Sequence, residues 1–195
     1  MAEAMDFHVG RLIAHLKQTG DYDNTAFVFL SDNGTEGSDY REAQLWLVTQ
    51  YSQDIDRLGA KGAYGIMGPS WASAAASPLS TYKFYAGEGG VRSPLIISGV
   101  PGTSPNSVMP GLAHVNDIVP TLLDLAGVAR PGNSYKGQPV EPMTGRSLVP
   151  ALRGETASVH PEDEPIGYEL SGNQALFKAA PTIWPRPTTR SCSSP

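Results

Sequence analysis

Two groups of residues have types and positions suited to chemistry, and the first follows an apolar run. Residues 26–30 are uniformly apolar and lead directly to Asp32, Asn33 and Gly34. Such a run predicts a strand covered on both faces, and ligands of α/β sheets bind beyond the carboxyl ends of strands. A carboxylate and an amide offer oxygen ligands to a hard divalent cation. These residue types also form turns, so a plain turn is the alternative.

Lys83 is the second candidate, and it lies just before a glycine-rich run at residues 87–90. Glycines lack side chains, so a ligand or another backbone segment can approach them closely. A lysine ammonium beside such a run could hold one oxygen of an oxyanion as a point charge. The alternative is an ordinary solvated lysine.

The remaining titratable residues show no spacing typical of catalysis. His8, His15, His114 and His160 are dispersed, which favours packing or surface roles. Asp117 and Asp124 are interpreted as a charge near a helix N-terminus and a residue on a solvated face. Cys192 is the single cysteine, so an internal disulfide and a zinc site built on thiolates are both excluded.

Composition predicts a soluble globular chain. The 195 residues carry a net charge of −5, without the clustered basic residues expected of a protein that binds nucleic acid. No apolar stretch approaches the roughly 20 residues of a membrane helix, and the first ten residues lack the pattern of a signal peptide. We therefore expect neither nucleic-acid nor membrane partners, and the sequence leaves a cytoplasmic, periplasmic or secreted location open.

Helices and short strands alternate along the chain, which predicts an α/β fold. Asn116 or Asp117 is the expected N-cap of the second helix, and Gly127 its end. Residues 40–58 have apolar positions loosely at helical spacing, and residues 59–78, rich in Gly, Ala and Ser, predict a long surface segment. The predicted elements are a helix at 3–18, a strand at 26–30, a strand at 93–97 and a helix at 116–126.

Four segments in order carry a family resemblance: "DYDNTAFVFLSDNG", "YKFYAGEGGVRSPLII", "HVNDIVPTLLDLAGV" and "MTGRSLVPALRGE". Together they resemble the C-terminal half of type I arylsulfatases, in the alkaline-phosphatase-like superfamily. The resemblance implies part of a mixed sheet flanked by helices, in an incomplete catalytic domain at residues 1–178. Residues 179–195 are rich in Pro, Ser and Thr, and we expect an irregular or frame-shifted tail.

The resemblance also implies a reaction and the residues that serve it. It makes the chain similar to sulfuric ester hydrolases, in which Asp32 and Asn33 match the second pair of ligands to Ca²⁺, with Mg²⁺ as the alternative ion. Lys83 matches the lysine that contacts the sulfate group of the ester substrate. The family's nucleophile is a formylglycine made within a C/S-x-P-x-R motif. None of the 17 prolines here has that context, so we expect the isolated chain to be inactive.

Two further interpretations stay open at this point. A phosphatase or phosphodiesterase of the same superfamily would usually hold two zinc ions, and the chain lacks the paired His ligands that these need. A non-catalytic, truncated remnant is the other alternative, because the nucleophile motif is absent.

Overall fold

A computed structural model describes residues 2–39, 45–109, 111–161, 163–170 and 172–178. Helices and strands are mixed along the chain, so the predicted α/β class is confirmed. The helices are α1 Ala2–Thr19, α2 Leu45–Gln50, α3 Gly68–Ala76, α4 Glu88–Val91, α5 Ile118–Leu125 and α6 Val149–Leu152. The strands are β1 Phe27–Leu30, β2 Leu95–Ser98, β3 Ser134–Tyr135, β4 Gln138–Pro139, β5 Pro165–Leu170 and β6 Asn173–Lys178.

Helix α1 has nearly the predicted bounds. Its apolar residues recur at helical spacing, and Gly20 follows with a φ of +81°, a conformation that glycine adopts without steric cost. No residue of α1 is buried. Tertiary packing therefore adds little to this helix within the described structure, although such packing usually provides most of a helix's stability.

Strands β1 and β2 are neighbours in a two-stranded sheet, as are β3 with β4 and β5 with β6. The prediction that β1 is covered on both faces is wrong for the described residues, since Phe29 and Leu30 are 43% and 36% exposed. Ile96 of β2 is 60% exposed as well. A sheet of two strands offers each strand only one hydrogen-bonded neighbour, and little of the described chain covers its faces.

The chain divides into two compact units, one mostly before Ile96 and the other mostly after it. The first unit buries Leu47, Ala72 and Ala86. The second unit buries Val100, Leu148 and Val149. Each unit therefore has a small apolar core of its own.

The stretch predicted as a long surface segment at residues 59–78 contains helix α3. Helix α2 and a 3₁₀ turn at Ile55–Arg57 lie before it, where the apolar residues are loosely at helical spacing. Pro69 in the first turn of α3 suits a helix start, and the alanines that follow are strong helix formers. Sequence periodicity missed α3 because its alanine-rich composition carries little amphipathic contrast.

The predicted boundary at residue 178 stays a prediction, because the tail at residues 179–195 lies outside the described residues. Among the helices that are described, none combines the length and apolar character needed to cross a bilayer.

Candidate functional site

The segment after β1 presents Asp32 and Asn33 at the surface, with Asp32 exposed and Asn33 partly exposed. The Ser31 hydroxyl donates a hydrogen bond to the Asn33 carbonyl at 2.8 Å, which holds the chain in a tight turn. Both interpretations of the tripeptide, a plain turn and a pair of metal ligands, therefore fit the structure, because these residues form a turn and Asp32 and Asn33 are at least partly exposed. The described ranges contain no group of three or more His, Cys, Asp or Glu able to hold a metal.

Gly34 lies against the glycine-rich run that begins at Gly87. Its amide donates to the Gly90 carbonyl at 2.8 Å, and a Cβ built on Gly34 would overlap the Gly89 carbonyl oxygen. Gly89 and Gly90 would themselves overlap carbonyls of Thr81 and Tyr85 if they carried side chains. Close backbone approach, one of the two uses expected for these glycines, therefore explains them.

Lys83 is joined to the same loop by its backbone and by its side chain. Its amide donates to the Thr35 carbonyl at 2.9 Å. Its ammonium lies 2.8 Å from the Glu36 Oε2 atom, and the lysine side chain is 32% exposed. The loop that begins with Asp32 and Asn33 is thus attached to the segment of Lys83, which brings the predicted metal-ligand segment and the predicted sulfate-binding segment together.

The backbone around Lys83 is unusual. Thr81 and Phe84 have φ values of 67° and 78°, a region that residues with a side chain seldom occupy. Such conformations cost of order 1–3 kcal/mol each and cluster at functional sites. The Tyr82 ring fills the place where Gly37 would carry a Cβ. Surrounding contacts therefore hold the Lys83 segment in one conformation.

Sequence reasoning did not single out Glu36, although it follows Asp32, Asn33 and Gly34 closely in the sequence. Burial by itself would raise the pKa of its carboxyl, but hydrogen bonds from Lys83 and Ser38, with the charge of Lys83, lower the pKa from 4.5 to about 2. The Ser38 amide donates to Glu36 Oε1 at 2.7 Å. The one sequence signal that could have identified Glu36 was its position as an acid close to the candidate metal ligands.

We expect Glu36 to titrate near pH 2 in the folded chain. Because the folded value lies below the ordinary 4.5, the stability that the ion pair adds is complete above about pH 4.5 and is lost as the pH falls through about 2. Carbon-13 NMR of the side-chain carboxyl measures this midpoint. Lys83→Met should move it up towards 4.5. An ordinary midpoint in the unsubstituted chain would contradict the ion pair.

In the second unit, Asp117 lies at the N-terminus of α5 as predicted, but it is fully buried and has further partners. Its Oδ2 accepts from the His114 amide at 2.7 Å, and its Oδ1 accepts from the Arg146 amide at 2.7 Å. The His114 ring reciprocates by accepting from the Asn116 amide, which completes a capping box. His114 therefore caps the 3₁₀ turn Val115–Asp117, and Asp117 occupies the predicted N-cap position of α5, although its side chain makes no capping hydrogen bond to that helix.

His160 is buried against the same carboxylate, with its Nε2 atom 2.8 Å from Asp117 Oδ2. His160 therefore lies in the interior of this unit, paired with Asp117. Burial, and then the charge of Asp117, raise the pKa of the nearby Tyr168 hydroxyl. Asp124 is exposed as predicted and accepts a hydrogen bond from the Ser147 hydroxyl. Asp117 and Asp124 thus have different roles despite their regular spacing.

The candidate residues can be set beside known proteins. A protein-family model described as Sulfatase matches residues 1–128. An uncharacterised sulfatase of Schizosaccharomyces pombe is 36% identical over 184 residues, which are 91% of this chain and 33% of that protein. The arylsulfatase of Klebsiella aerogenes is 36% identical over 151 residues, 76% of this chain and 32% of that protein. The steryl-sulfatase of Mus musculus is 29% identical over 155 residues.

The chain spans about a third of the length of the first two relatives and 19% of the third. The matched family region, residues 1–128, contains Asp32, Asn33, Glu36 and Lys83. The attached loops described above therefore lie wholly within the part of the chain that matches the family model.

Proposed function

Because the chain belongs to the sulfatase family, we propose that it forms part of a sulfuric ester hydrolase of the arylsulfatase type. In this proposal Asp32 and Asn33 supply half of a calcium site, and Lys83 binds the sulfate group of the ester. Residues 1–178 act as the C-terminal portion of the catalytic domain, and their strands join a larger mixed sheet.

One observation carries the proposal: the loop of Asp32 and Asn33 is attached to the segment of Lys83. Three contacts make that attachment, from Gly34 to Gly90, from Thr35 to the Lys83 amide and from Glu36 to the Lys83 ammonium. A metal ion and an ammonium that hold the same sulfate group must keep a constant separation. Attached loops favour such an arrangement, whereas an isolated turn and an isolated solvated lysine would not require it.

The oxygens of Asp32 and Asn33 suit a hard cation in type but not in number. Ca²⁺ takes 6–8 oxygen ligands, so one carboxylate and one amide supply only part of a site. They fit half of a calcium site, and the rest must come from other residues or water. When bound, the ion would act as a Lewis acid that stabilises charge on the sulfate oxygens.

The protein's own contribution is a fixed cation. Negative charge builds up on oxygen as a sulfuryl group is transferred, and donors placed in advance stabilise it without reorganising. The Lys83 ammonium suits this role because its backbone and its side chain are both held, while about a third of the side chain stays open to solvent.

The nucleophile is not among these 195 residues, since none of the 17 prolines lies in a C/S-x-P-x-R context. We therefore expect the isolated chain not to hydrolyse sulfate esters. In the active enzyme the nucleophile and the other half of the metal site come from sulfatase sequence outside this segment.

A segment exchange tests this function. The part of the Klebsiella aerogenes arylsulfatase that aligns with this chain is replaced by the corresponding residues of this chain, and 4-nitrophenyl sulfate and 4-nitrophenyl phosphate are compared as substrates. We expect the chimera to hydrolyse the sulfate ester in preference to the phosphate ester. The unmodified Klebsiella aerogenes enzyme, measured on both substrates, provides the reference rates. A folded chimera that prefers the phosphate would favour a phosphatase, and one inactive on both would favour a non-catalytic segment.

A further inference from the structure

The ion pair between Glu36 and Lys83 has features beyond those of an ordinary surface pair. Both partners are partly covered, with side chains 36% and 32% exposed, and the atoms Oε2 and Nζ lie 2.8 Å apart. Exposed pairs of long side chains are worth little because holding both in one geometry costs conformational entropy. Here other contacts already restrict both side chains, so forming the ion pair costs less conformational entropy.

The carboxylate of Glu36 is held from its other side. Its Oε1 accepts the Ser38 amide at 2.7 Å, so the two oxygens have separate partners, one fixed by the backbone and one shared with Lys83. This division of the two oxygens orients the carboxylate. An amide side chain could not reproduce it, because glutamine has only one oxygen acceptor.

The lysine is confined as well. Its backbone amide is bound to Thr35, the residue before Glu36. The ammonium also lies 5.2 Å from the centre of the Phe84 ring, within the range of a cation–π interaction. Backbone, carboxylate and ring therefore restrict where the ammonium can go.

We propose that Glu36 is a positioning residue, whose carboxylate holds the Lys83 ammonium in place so that an oxyanion meets a cation already fixed in position. This inference rests on the proposed function, because it assumes that Lys83 meets the sulfate group. Glu36 itself does not touch the substrate.

Two physical effects of Glu36 have opposite signs, which makes the inference testable. If Glu36 only neutralised Lys83, removing its charge would strengthen anion binding. If Glu36 positions Lys83, Glu36→Gln should weaken anion binding roughly two- to tenfold, as expected when a flexible side chain must be immobilised on binding.

The experiment uses the full chain labelled with nitrogen-15 at lysine, with inorganic sulfate as the probe. In the unsubstituted chain, NMR should show a Lys83 ammonium signal protected from exchange with water, and Glu36→Gln should remove that protection. Sulfate titration followed by calorimetry should show weaker binding in Glu36→Gln. Glu141→Gln changes an exposed acid and should alter neither result.

The outcomes separate the inference from the function on which it rests. An unchanged Lys83 signal in Glu36→Gln, or tighter sulfate binding in that variant, would overturn the positioning role. Sulfate binding that is unaffected by Lys83→Ala would instead contradict the proposed sulfate contact, and the Lys83 signal alone would then decide whether Glu36 fixes the ammonium. Glu36→Asp keeps both oxygens and the charge, so it should restore part of the protection that glutamine removes.

Discussion

Asp117→Ala is expected to lower the free energy of unfolding by about 3–5 kcal/mol, because each buried polar group left without a partner costs about 1–3 kcal/mol. The substitution leaves the amides of His114 and Arg146 and the ring of His160 without their acceptor. Asp117 is 0% exposed, so water cannot easily take its place. Because whole domains are stable by only about 5–15 kcal/mol, this loss removes a large share of the free energy of unfolding.

Urea unfolding followed by circular dichroism measures this effect. Asp124→Ala is the matched control, since Asp124 lies on the neighbouring helix α5 but is exposed. Its loss should stay within about 1 kcal/mol, the value of a single hydrogen bond. Equal losses in the two variants would show that the buried carboxylate does not hold its three segments together.

Lys83→Ala is expected to lower kcat of the chimera on 4-nitrophenyl sulfate by roughly 10²–10³-fold, the effect of removing one donor to a developing oxyanion. The loss should fall mainly on turnover, while the calcium concentration needed for half-maximal activity stays nearly constant. The reason is that Lys83 contacts the sulfate group in the proposed site and not the metal. Steady-state kinetics at saturating calcium measures the change.

Lys61→Ala provides the control for Lys83, because Lys61 is an exposed loop lysine. It should leave kcat within a factor of about two, as surface substitutions away from a site usually have small effects. Hydrolysis by Lys83→Ala at the unsubstituted rate would remove Lys83 from the site. A loss in both variants would point to a general effect of lowered positive charge.

Elements with strong local patterns could be predicted from the sequence. Helix α1 was predicted from its apolar spacing and the glycine after it, and β1 and β2 from short apolar runs between turns. The glycine run at residues 87–90 was expected to allow a ligand or another backbone segment to approach closely, and the structure shows the approach of backbone. Hydrophobic periodicity and turn-forming residues are local signals, so they can be read from a single sequence.

Features that depend on distant residues could not be predicted. His160 meets Asp117 across 43 residues of chain, and nothing near either residue identifies the other. The exposure of β1 was also missed, because an apolar run indicates that a strand needs cover but not which residues provide it. Glu36 lay beside the predicted ligands, yet its importance follows from Lys83, which the fold brings to it.

The central claim is that the loop after β1 holds a metal for sulfate-ester hydrolysis, and calcium titration of the chimera tests it most directly. Activity on 4-nitrophenyl sulfate is measured against calcium concentration for Asp32→Ala and for Asp6→Ala, which removes an exposed acid from α1. We predict that Asp32→Ala needs a higher calcium concentration for half-maximal activity and also has a lower rate. Asp6→Ala should match the unsubstituted chimera in both quantities. A calcium dependence and a rate unchanged by Asp32→Ala would contradict the proposed site.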